Sequence, residues 1–325
     1  MYAPEQSISN EELAGQLGLE PEQIFKSSGI RRRRRASEGT TTSSLAAKAL
    51  TLALEDAGLK TEDVDYLLFG TMTPDRFIPG SSPAVQKALG LREIPCLDIR
   101  ATCCNALYAL QVAHALVASG TARNVAICLA EIQSAFLDFS PAAGTTSMLF
   151  GDGASALIVS NEKTEGALEI LDIHLATDGT YVDDLGIRCP GTEFGTTRSH
   201  EQSEYAEDYA ARMVGQSVIL QASRKIVAAC QTVLQRNNLQ VTDVRWMVPH
   251  QANANLLAQV ARGLKFPTAQ GGVISVLEDY GNTSSASMGI ALDTLRRSGR
   301  IQSEERILLP AFGAGFTWGA GLCVA

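Results

Sequence analysis

The sequence predicts an α/β protein that contains one structural unit twice. Residues 49–70 read as a helix, a short turn and an apolar strand, and residues 229–250 repeat this pattern. Asp63 aligns with Asp243, a shift of 180 residues that is too long for a solenoid, whose repeats span about 20–50 residues. Helices that alternate with buried strands favour largely parallel sheets covered by helices on both faces.

The ends of the two units also match each other. The glycine-bearing segment 150–160 has a similar segment at 312–325, near the end of the chain. Between the units lies the charged stretch 161–165, which is typical of a polar connection between domains. We therefore expect one domain over 1–163 and a second over 164–325.

The first unit shows helix and strand signals in alternation. A helix start at residues 9–12 combines a serine with two glutamates, and Gly58 sits where a helix ordinarily ends. The predicted elements are a helix over 42–57, a strand over 64–71, a helical segment over 79–89 and strands over 125–131 and 156–160.

Composition limits the function classes. The 325 residues are 45% hydrophobic and 19% charged, as in ordinary soluble globular proteins. The formal net charge of −8 argues against broad nucleic-acid binding, and no apolar run approaches the roughly 20 residues of a membrane span. Seven cysteines without a C-x-x-C pair fit neither a disulfide framework nor a zinc site, so we expect a cytoplasmic protein without a metal.

Residues 97–119 carry the clearest chemical signal. A short strand ends near Ile99, and Cys103 lies between it and an amphipathic helix. The apolar face of this helix runs through Leu107, Leu110, Ala113, His114 and Val117. Unpaired N–H groups and the positive end of the helix dipole favour a thiolate there, so Cys103 is a candidate nucleophile. Buried packing is the alternative for a cysteine at such a junction.

His250 and Asn282 lie at comparable places in the second unit. His250 follows an apolar strand, and Asn282 lies in the turn YGNTSSAS. From the residues alone, each has a structural alternative, a core histidine and a turn-forming asparagine. Of the other histidines, we expect His114 in the core and His200 in solvent.

A run of five arginines occupies residues 31–35. Such runs usually form a solvated face, and the alternative is an edge that contacts phosphate groups. Arg31 is the member that we carry forward as a candidate substrate contact.

Five motifs, in order, give the chain a family resemblance. It resembles the β-ketoacyl-(acyl-carrier-protein) synthase III group of the thiolase superfamily over nearly its whole length. The motifs are LDIRATCCNALYAL at 97–110, LFGDGASALIV at 149–159, VPHQAN at 248–253, YGNTSSAS at 280–287 and FGAGFTWGAG at 312–321. The resemblance implies a five-layered α-β-α-β-α thiolase-like fold, a homodimer, and no metal or redox cofactor.

The same resemblance implies roles for particular residues. Cys103, His250 and Asn282 correspond to a Cys-His-Asn site. Ala314 would supply an oxyanion donor beside Phe312. Cys103 would hold an acyl group as a thioester, while His250 and Asn282 would donate hydrogen bonds to a malonyl thioester as it loses carbon dioxide. The product would be a β-ketoacyl thioester.

The resemblance also implies binding residues. Ile78 would form the floor of an acyl pocket or cross to a dimer partner, and Phe150 would form part of the wall. Ordinary core packing is the alternative for the phenylalanine. The candidate contacts for coenzyme A or an acyl-carrier protein are Arg31, Arg262 and Asn253.

Several residues depart from the family pattern. Asn105 stands two positions after Cys103, where the family usually has glycine. The other departures, all at positions that contact coenzyme A or the carrier protein in the family, are Gln23, Ser27, Leu220, Asn255 and Gly263. We therefore expect a relative specialised for secondary metabolism, with an altered donor or partner.

The start of the chain is a further departure. Family members usually begin with an interior strand that precedes the segment matching residues 2–5. Either the recorded start lies downstream of this strand, or another segment takes its place in the first sheet. An unfilled place would leave backbone groups unpaired at about 1–3 kcal/mol each.

Three functions remain compatible with the sequence. The first is a decarboxylating condensing enzyme of fatty-acid-like or secondary metabolite biosynthesis. The second is an acyltransferase of the same fold that passes the acyl group to an alcohol or amine. The third is a non-catalytic partner subunit, against which the retention of Cys103, His250 and Asn282 argues.

Overall fold

The computed structural model describes residues 1–189, 191, 192, 209–267 and 272–325. The helices are α1 (Asn10–Leu17), α2 (Pro21–Ser28), α3 (Thr42–Ala57), α4 (Ser82–Leu89), α5 (Asn105–Ala118), α6 (Gly144–Ser147), α7 (Gly215–Arg236), α8 (Ala254–Leu264), α9 (Leu277–Tyr280) and α10 (Ser287–Arg297). The strands are β1 (Ser7–Ser9), β2 (Arg32–Arg34), β3 (Tyr66–Gly70), β4 (Cys96–Ile99), β5 (Asn124–Glu131), β6 (Gly153–Ser160), β7 (Glu169–Thr177), β8 (Leu185–Gly186), β9 (Arg212–Met213), β10 (Trp246–Met247), β11 (Gly272–Val273), β12 (Arg306–Gly313) and β13 (Thr317–Val324).

Two mixed sheets form the centre of the molecule. The first has the strand order β4-β3-β5-β6, and the second has the order β11-β10-β12-β13-β7. Strand β3 is parallel to β4 and β5, whereas β6 is antiparallel to β5. Likewise, β12 is parallel to β10 and antiparallel to β13. The expectation of largely parallel sheets is therefore wrong for β6, β13 and β7, because a buried strand shows the same apolar run in either direction.

The helices and sheets stack in five layers. Helices α3 and α4 cover the outer face of the first sheet, α5 and α10 lie between the sheets, and α7 and α8 cover the outer face of the second. Leu107 of α5 and Ile290 of α10 are fully buried in the central core, which strands of both sheets also line. Burial from both sides explains the apolar character of the central helices.

The internal repeat is visible as two equivalent turns. A 3₁₀ turn at Thr61–Asp63 precedes β3, and another at Val241–Asp243 precedes β10. In the first turn Asp63 Oδ2 accepts a hydrogen bond of 2.8 Å from the Lys60 N–H. In the second, Asp243 Oδ2 accepts one of 2.7 Å from the Gln240 N–H. The exact boundary between the two domains remains a prediction.

The outer edge of the first sheet differs from that of the second. In the second sheet, β7 pairs along the whole length of β13. The equivalent side of β6 is paired, within the described residues, through a bridge between Tyr2 and Ala154. Their backbone groups exchange two hydrogen bonds of 2.8 Å. The segment around Tyr2 thus takes up part of the position expected for an interior strand.

Local signals in the sequence account for the element ends near the site. Ser9 caps α1, since its hydroxyl accepts from the Glu12 N–H while Glu12 accepts from the Ser9 N–H.

On α5, Leu107 and Leu110 are buried as predicted, but the prediction for His114 is wrong. His114 is exposed because it lies on the solvent-facing side of α5, together with Gln111, Ala115 and Ala118. His200 lies outside the described residues. No helix in the described ranges has the length and apolar character needed to cross a membrane.

Candidate active site

Cys103 lies in a sharp turn between the first sheet and α5. The 3₁₀ turn Thr102–Cys104 runs directly into the helix. Thr102 has a φ of 53°, a left-handed conformation that is unusual for a β-branched residue. Its hydroxyl donates a hydrogen bond of 3.3 Å to the Ala314 carbonyl oxygen. The turn therefore fixes Cys103 at the mouth of α5, against the second sheet.

Gly313, at the end of β12, allows this close approach. A Cβ atom at Gly313 would lie 2.9 Å from the Cys103 nitrogen and would overlap the Thr102 hydroxyl oxygen. Only glycine fits there without displacing the nucleophile. The neighbouring Phe312 is buried, and its ring packs against that of Phe316 with 4.8 Å between centroids. The role of Ala314 as an oxyanion donor remains a prediction.

His250 follows β10 and is 5% exposed. Its backbone N–H donates to the Pro310 carbonyl oxygen at 2.9 Å, and its Nδ1 atom lies 2.7 Å from the Ser287 hydroxyl oxygen. Burial lowers the pKa of the imidazole to about 4, although a hydrogen bond with the Ser284 backbone acts in the opposite direction. His250 is therefore neutral at pH 7.

Asn282 is held by backbone bonds on both sides. Its N–H donates to the Leu149 carbonyl oxygen at 2.8 Å, and its carbonyl oxygen accepts from the Gly151 N–H at 3.0 Å. The side-chain Oδ1 atom accepts from the Ser284 N–H at 2.8 Å. Since the described residues give the Nδ2 group no hydrogen-bond acceptor, it is available to donate to a substrate.

Ser284 and Ser287 connect the three candidate residues. The Ser284 hydroxyl oxygen lies 3.4 Å from the Cys103 Sγ atom and its N–H binds the Asn282 side chain, while the Ser287 hydroxyl binds the His250 Nδ1 atom. Ser284 itself has a left-handed φ of 46°. The structure thus brings together Cys103 of the first half with His250 and Asn282 of the second. Sequence reasoning missed Ser284, although the serine-rich motif YGNTSSAS contains it.

The ionisation of Cys103 differs from the expectation. Burial raises the pKa of its thiol to about 11, although the hydrogen bond with Ser284 acts to lower it. The negative charge of Glu131 raises the pKa further. The free protein therefore holds Cys103 as a thiol at neutral pH, and the predicted thiolate is wrong for this state because desolvation outweighs the helix terminus.

The candidate acyl-pocket residues have different surroundings. Phe150 is half-buried, and its backbone forms a parallel bridge with Asn282, which places it beside the site. Ile78 is 77% exposed, on a surface loop that also presents Phe77 at 66% exposure. Ile78 therefore does not line a pocket within its own chain. Its alternative role, reaching a dimer partner, remains a prediction.

The candidate donor-binding residues lie near α2, α8 and α9. Arg31 forms an ion pair of 2.7 Å with Glu278, and Arg262 is exposed on the last turn of α8. The Asn253 side chain accepts from the Asn255 N–H at 2.8 Å and donates to the Ser27 carbonyl oxygen at 2.8 Å. Both polar groups of Asn253 are thus already engaged: Oδ1 caps α8, and Nδ2 joins α8 to α2.

Arg33, the buried member of the arginine run, has a structural role. Arg33 is 4% exposed, and its guanidinium donates to the Asn10 side chain and the Met148 carbonyl oxygen, each at 2.9 Å. Its Cβ atom lies so close to Gly151 and Gly281 that a Cβ on either glycine would be 3.0 or 3.1 Å away. The side chain of Arg33 therefore supports the backbone that leads into Asn282.

Asn105, two positions after Cys103, is held against the turn by its side chain. Its Oδ1 atom accepts a hydrogen bond of 2.6 Å from the Ala101 N–H, whereas its Nδ2 atom is buried without a partner in the described part of the chain. Gly70 lies directly opposite, and a Cβ atom there would be 2.7 Å from that of Asn105. The missing side chain at Gly70 makes room for the asparagine.

Three family models match the chain. The model described as 3-oxoacyl-[acyl-carrier-protein] synthase III matches residues 97–179, and its C-terminal counterpart matches residues 234–324. A model of the thiolase N-terminal domain matches residues 27–135. The first two matches contain Cys103 in one case and His250 with Asn282 in the other.

Individual relatives agree with these matches along the whole chain. β-Ketoacyl-[acyl-carrier-protein] synthase III of Chlamydia caviae is 36% identical over 319 residues, which cover 98% of this chain and 93% of the relative. The chain belongs to the β-ketoacyl-[acyl-carrier-protein] synthase III family. The family resemblance inferred from the motifs is thereby confirmed.

Solved structures of synthase III proteins share the fold. The crystal structure of 3-oxoacyl-[acyl-carrier-protein] synthase III from Aquifex aeolicus matches with a TM-score of 0.89 at 30% identity, over 100% of this chain and 97% of that one. The priming β-ketosynthase of the R1128 polyketide pathway matches with a TM-score of 0.88 at 32% identity, over 99% and 93%. The predicted thiolase-like fold is confirmed, while the chemical roles of the synthase III site residues stay predictions.

Proposed function

We propose that this protein is an acyltransferase that performs decarboxylative Claisen condensation between an acyl group on Cys103 and a malonyl thioester. One observation carries the proposal: Ser284 lies beside Cys103 and binds Asn282, and Ser287 in the same segment binds His250, so a nucleophile and two potential hydrogen-bond donors surround one small space. Family membership supports the same reaction, because the relatives are named for it.

The first step loads the enzyme. The Cys103 sulfur attacks the carbonyl carbon of an acyl thioester, a new thioester bond forms, and the thiol of the donor leaves. Backbone N–H groups of Cys103 and Ala314 stabilise the oxyanion in this proposal. Losing one such donor would cost about 3 kcal/mol of barrier. The neighbouring Gly313 keeps the two backbone segments close enough for both to take part.

The second step forms the carbon–carbon bond. The bond between the malonyl carboxylate and its methylene carbon breaks, carbon dioxide leaves, and the electron pair forms an enolate. His250 and Asn282 donate hydrogen bonds to the enolate oxygen. A neutral imidazole suits this role, and the Ser287 hydroxyl is able to donate to Nδ1, which leaves the proton on Nε2. The enolate carbon attacks acyl-Cys103, and the cysteine sulfur leaves.

Donor and assembly follow from the same proposal. The donor is acyl-coenzyme A or an acyl-carrier protein, approached from α2 and α8, with Arg31 and Arg262 as the candidate contacts and Asn253 as a support of the entrance. Exposed Phe77 and Ile78 fit a homodimer in which this loop reaches the partner. We place the protein in the cytoplasm, in fatty-acid-like or secondary metabolite biosynthesis.

Intact-protein mass spectrometry tests the loading step. After incubation with a panel of acyl-coenzyme A and acyl-carrier-protein donors, we expect one acyl adduct, which Cys103→Ala abolishes. Cys104→Ala is the matched control, since Cys104 is fully buried behind the nucleophile and should leave the adduct in place. An adduct on Cys104, or none with any donor, would overturn the assignment.

Carbon dioxide release tests the condensation step. Loaded enzyme given a malonyl thioester should release carbon dioxide and form a β-ketoacyl product, and His250→Ala should load normally but release none. A loaded enzyme that instead transfers its acyl group to an alcohol or amine, with no malonyl thioester present, would identify the alternative acyltransferase.

A further inference from the structure

The segment 282–287, called the catalytic segment here, touches every member of the candidate site. Asn282 belongs to the site, Ser284 contacts Cys103, and Ser287 binds the His250 Nδ1 atom. Ser285 lies in the middle of this segment and is fully buried. The bonds of Ser285 lead to the first half of the chain, so they influence how the two halves of the site meet.

Ser285 binds a buried carboxyl group. Its hydroxyl lies 2.5 Å from the Oε1 atom of Glu131, at the end of β5. The Glu131 carboxyl also accepts from the Met72 N–H at 3.1 Å and from the Thr73 hydroxyl at 2.8 Å. Glu131 is fully buried and therefore joins the end of β3, the end of β5 and the catalytic segment at one point.

We propose that Glu131 and Ser285 are positioning residues for the condensation, because their hydrogen bond fixes the catalytic segment. Ser284 of this segment then places Asn282 relative to Cys103, and Ser287 places His250. This inference rests on the proposed function for its kinetic consequences. Neither residue touches the reacting atoms.

The bond persists in both protonation states of Glu131. When the carboxyl is ionised, the Ser285 hydroxyl donates to it. When the carboxyl is protonated, it donates to the Ser285 oxygen, and the Ser285 hydrogen turns to the Gly70 carbonyl oxygen at 3.3 Å. Burial raises the pKa of Glu131 to about 7, so both states occur near neutral pH and both keep the catalytic segment attached.

The first test compares Ser285→Ala and Glu131→Met, neither of which can form the hydrogen bond between these positions, with the wild type. Both variants should load an acyl group on Cys103 no more than about fivefold more slowly than the wild type, because only the contact of Cys103 with Ser284 is weakened and its own turn lies outside the catalytic segment. Their rate of carbon dioxide release from a malonyl thioester should fall about 100-fold, the effect expected for a displacement of about 1 Å. Ser285→Thr, which keeps the hydroxyl, should restore most of this rate.

Ser43→Ala is the matched control. The Ser43 hydroxyl also donates to a carboxylate at 2.5 Å, that of Asp75, and Ser43 is 6% exposed. This control should lower the melting temperature by a similar amount without changing either rate. Equal losses of both rates in Ser285→Ala, Glu131→Met and Ser43→Ala, or an unchanged condensation rate in Ser285→Ala, would overturn the proposal.

A substrate-free measurement separates this inference from the proposed function. In Ser285→Ala, displacement of the Ser284 hydroxyl should slow the alkylation of Cys103 by iodoacetamide at pH 8, while Ser43→Ala should not. Unchanged alkylation in both Ser285→Ala and Glu131→Met would refute the positioning role even if the wild type condenses. If the wild type loads no acyl donor but the alkylation rates differ as expected, the function fails and the positioning role stands.

Discussion

The Ser284 hydroxyl oxygen lies 3.4 Å from the Cys103 sulfur, although the two residues are 181 positions apart in the chain. The two residues belong to different halves of the repeated fold. Cys103 directly follows Thr102, which has a left-handed backbone conformation, and Ser284 has such a conformation itself. Such conformations cost about 1–3 kcal/mol each and persist only where the surrounding structure holds them. The contact is thus a product of the assembled halves.

Replacing Ser284 should change the reactivity of Cys103. The hydroxyl of Ser284 acts to lower the pKa of the thiol, so Ser284→Ala should raise it. We expect alkylation of Cys103 by iodoacetamide at pH 8 to slow about fivefold, which corresponds to one hydrogen bond of about 1 kcal/mol. The half-buried Cys96, followed in the same protein, is the internal control. Unchanged alkylation of Cys103 would show that the contact has no effect on its ionisation.

Adding one methyl group at Gly313 should disable loading. In Gly313→Ala the new Cβ atom would press on the Cys103 nitrogen and the Thr102 hydroxyl, so the turn must shift. We expect the rate of acyl-adduct formation to fall about 100-fold. Gly15→Ala is the control, because no atom lies within 4 Å of a Cβ placed there. Loading at the wild-type rate in Gly313→Ala would contradict the close approach.

His250 should make the folded state less stable in acid. Its pKa is about 4 in the folded protein against 6.5 in the unfolded chain, so between these values the unfolded state binds the extra proton. Stability therefore falls as the pH drops from 6.5 to 4, by about 3 kcal/mol over the window. In urea unfolding, His250→Gln should gain stability relative to the wild type across this range. A constant difference would show that the histidine does not titrate as proposed.

Glu131 should act with the opposite sign. Its pKa is raised from 4.5 to about 7, so as the pH falls from 7 to 4.5 the folded state binds the proton first and gains stability. The contributions of Glu131 and His250 therefore offset each other in the wild type. Urea unfolding of Glu131→Gln should show stability lost relative to the wild type as the pH falls. A gain instead would contradict the burial of this carboxyl.

Two neighbouring arginines should differ strongly in their effect on stability. Arg33→Met leaves the Asn10 side chain and the Met148 carbonyl oxygen without their donor, so we expect a loss of about 3 kcal/mol. Arg31→Met breaks an ion pair between side chains that are more than half exposed, and should cost less than about 1 kcal/mol. Chemical denaturation of both variants measures the difference. Equal losses would mean that the run acts as one unit.

Much of the site was predictable because local signals mark it. Glycines, strand ends and turn residues indicated the positions of Cys103, His250 and Asn282 in their elements, and the 180-residue repeat indicated two related halves. The five layers and the Cys-His-Asn set came from the family motifs. No local pattern specified how far apart these side chains lie.

The remaining features depend on the assembled fold. The pKa of Cys103 is raised by burial, and the second half of the chain supplies part of that burial. The contact between Ser284 and Cys103 depends on a left-handed φ at Ser284, which the residue type does not predict. The exposure of Ile78 was also not predictable, because the sequence does not show which residues cover an apolar side chain in a loop. The hydrogen bond between Ser285 and Glu131 was not predictable either, because the two residues are 154 positions apart in the chain.

The packing of Arg33 beneath Gly151 and Gly281 makes the two-stranded sheet of β1 and β2 a support for the backbone that leads into Asn282. The backbone N–H of Arg31 also binds the Glu278 carbonyl oxygen at 3.0 Å, so backbone and side-chain contacts both join this small sheet to α9. Anyone exchanging parts among homologues should transfer both segments as one cassette. A chimera that takes the sheet of β1 and β2 from one parent and α9 from another would place the Asn282 amide on a support to which it is not matched.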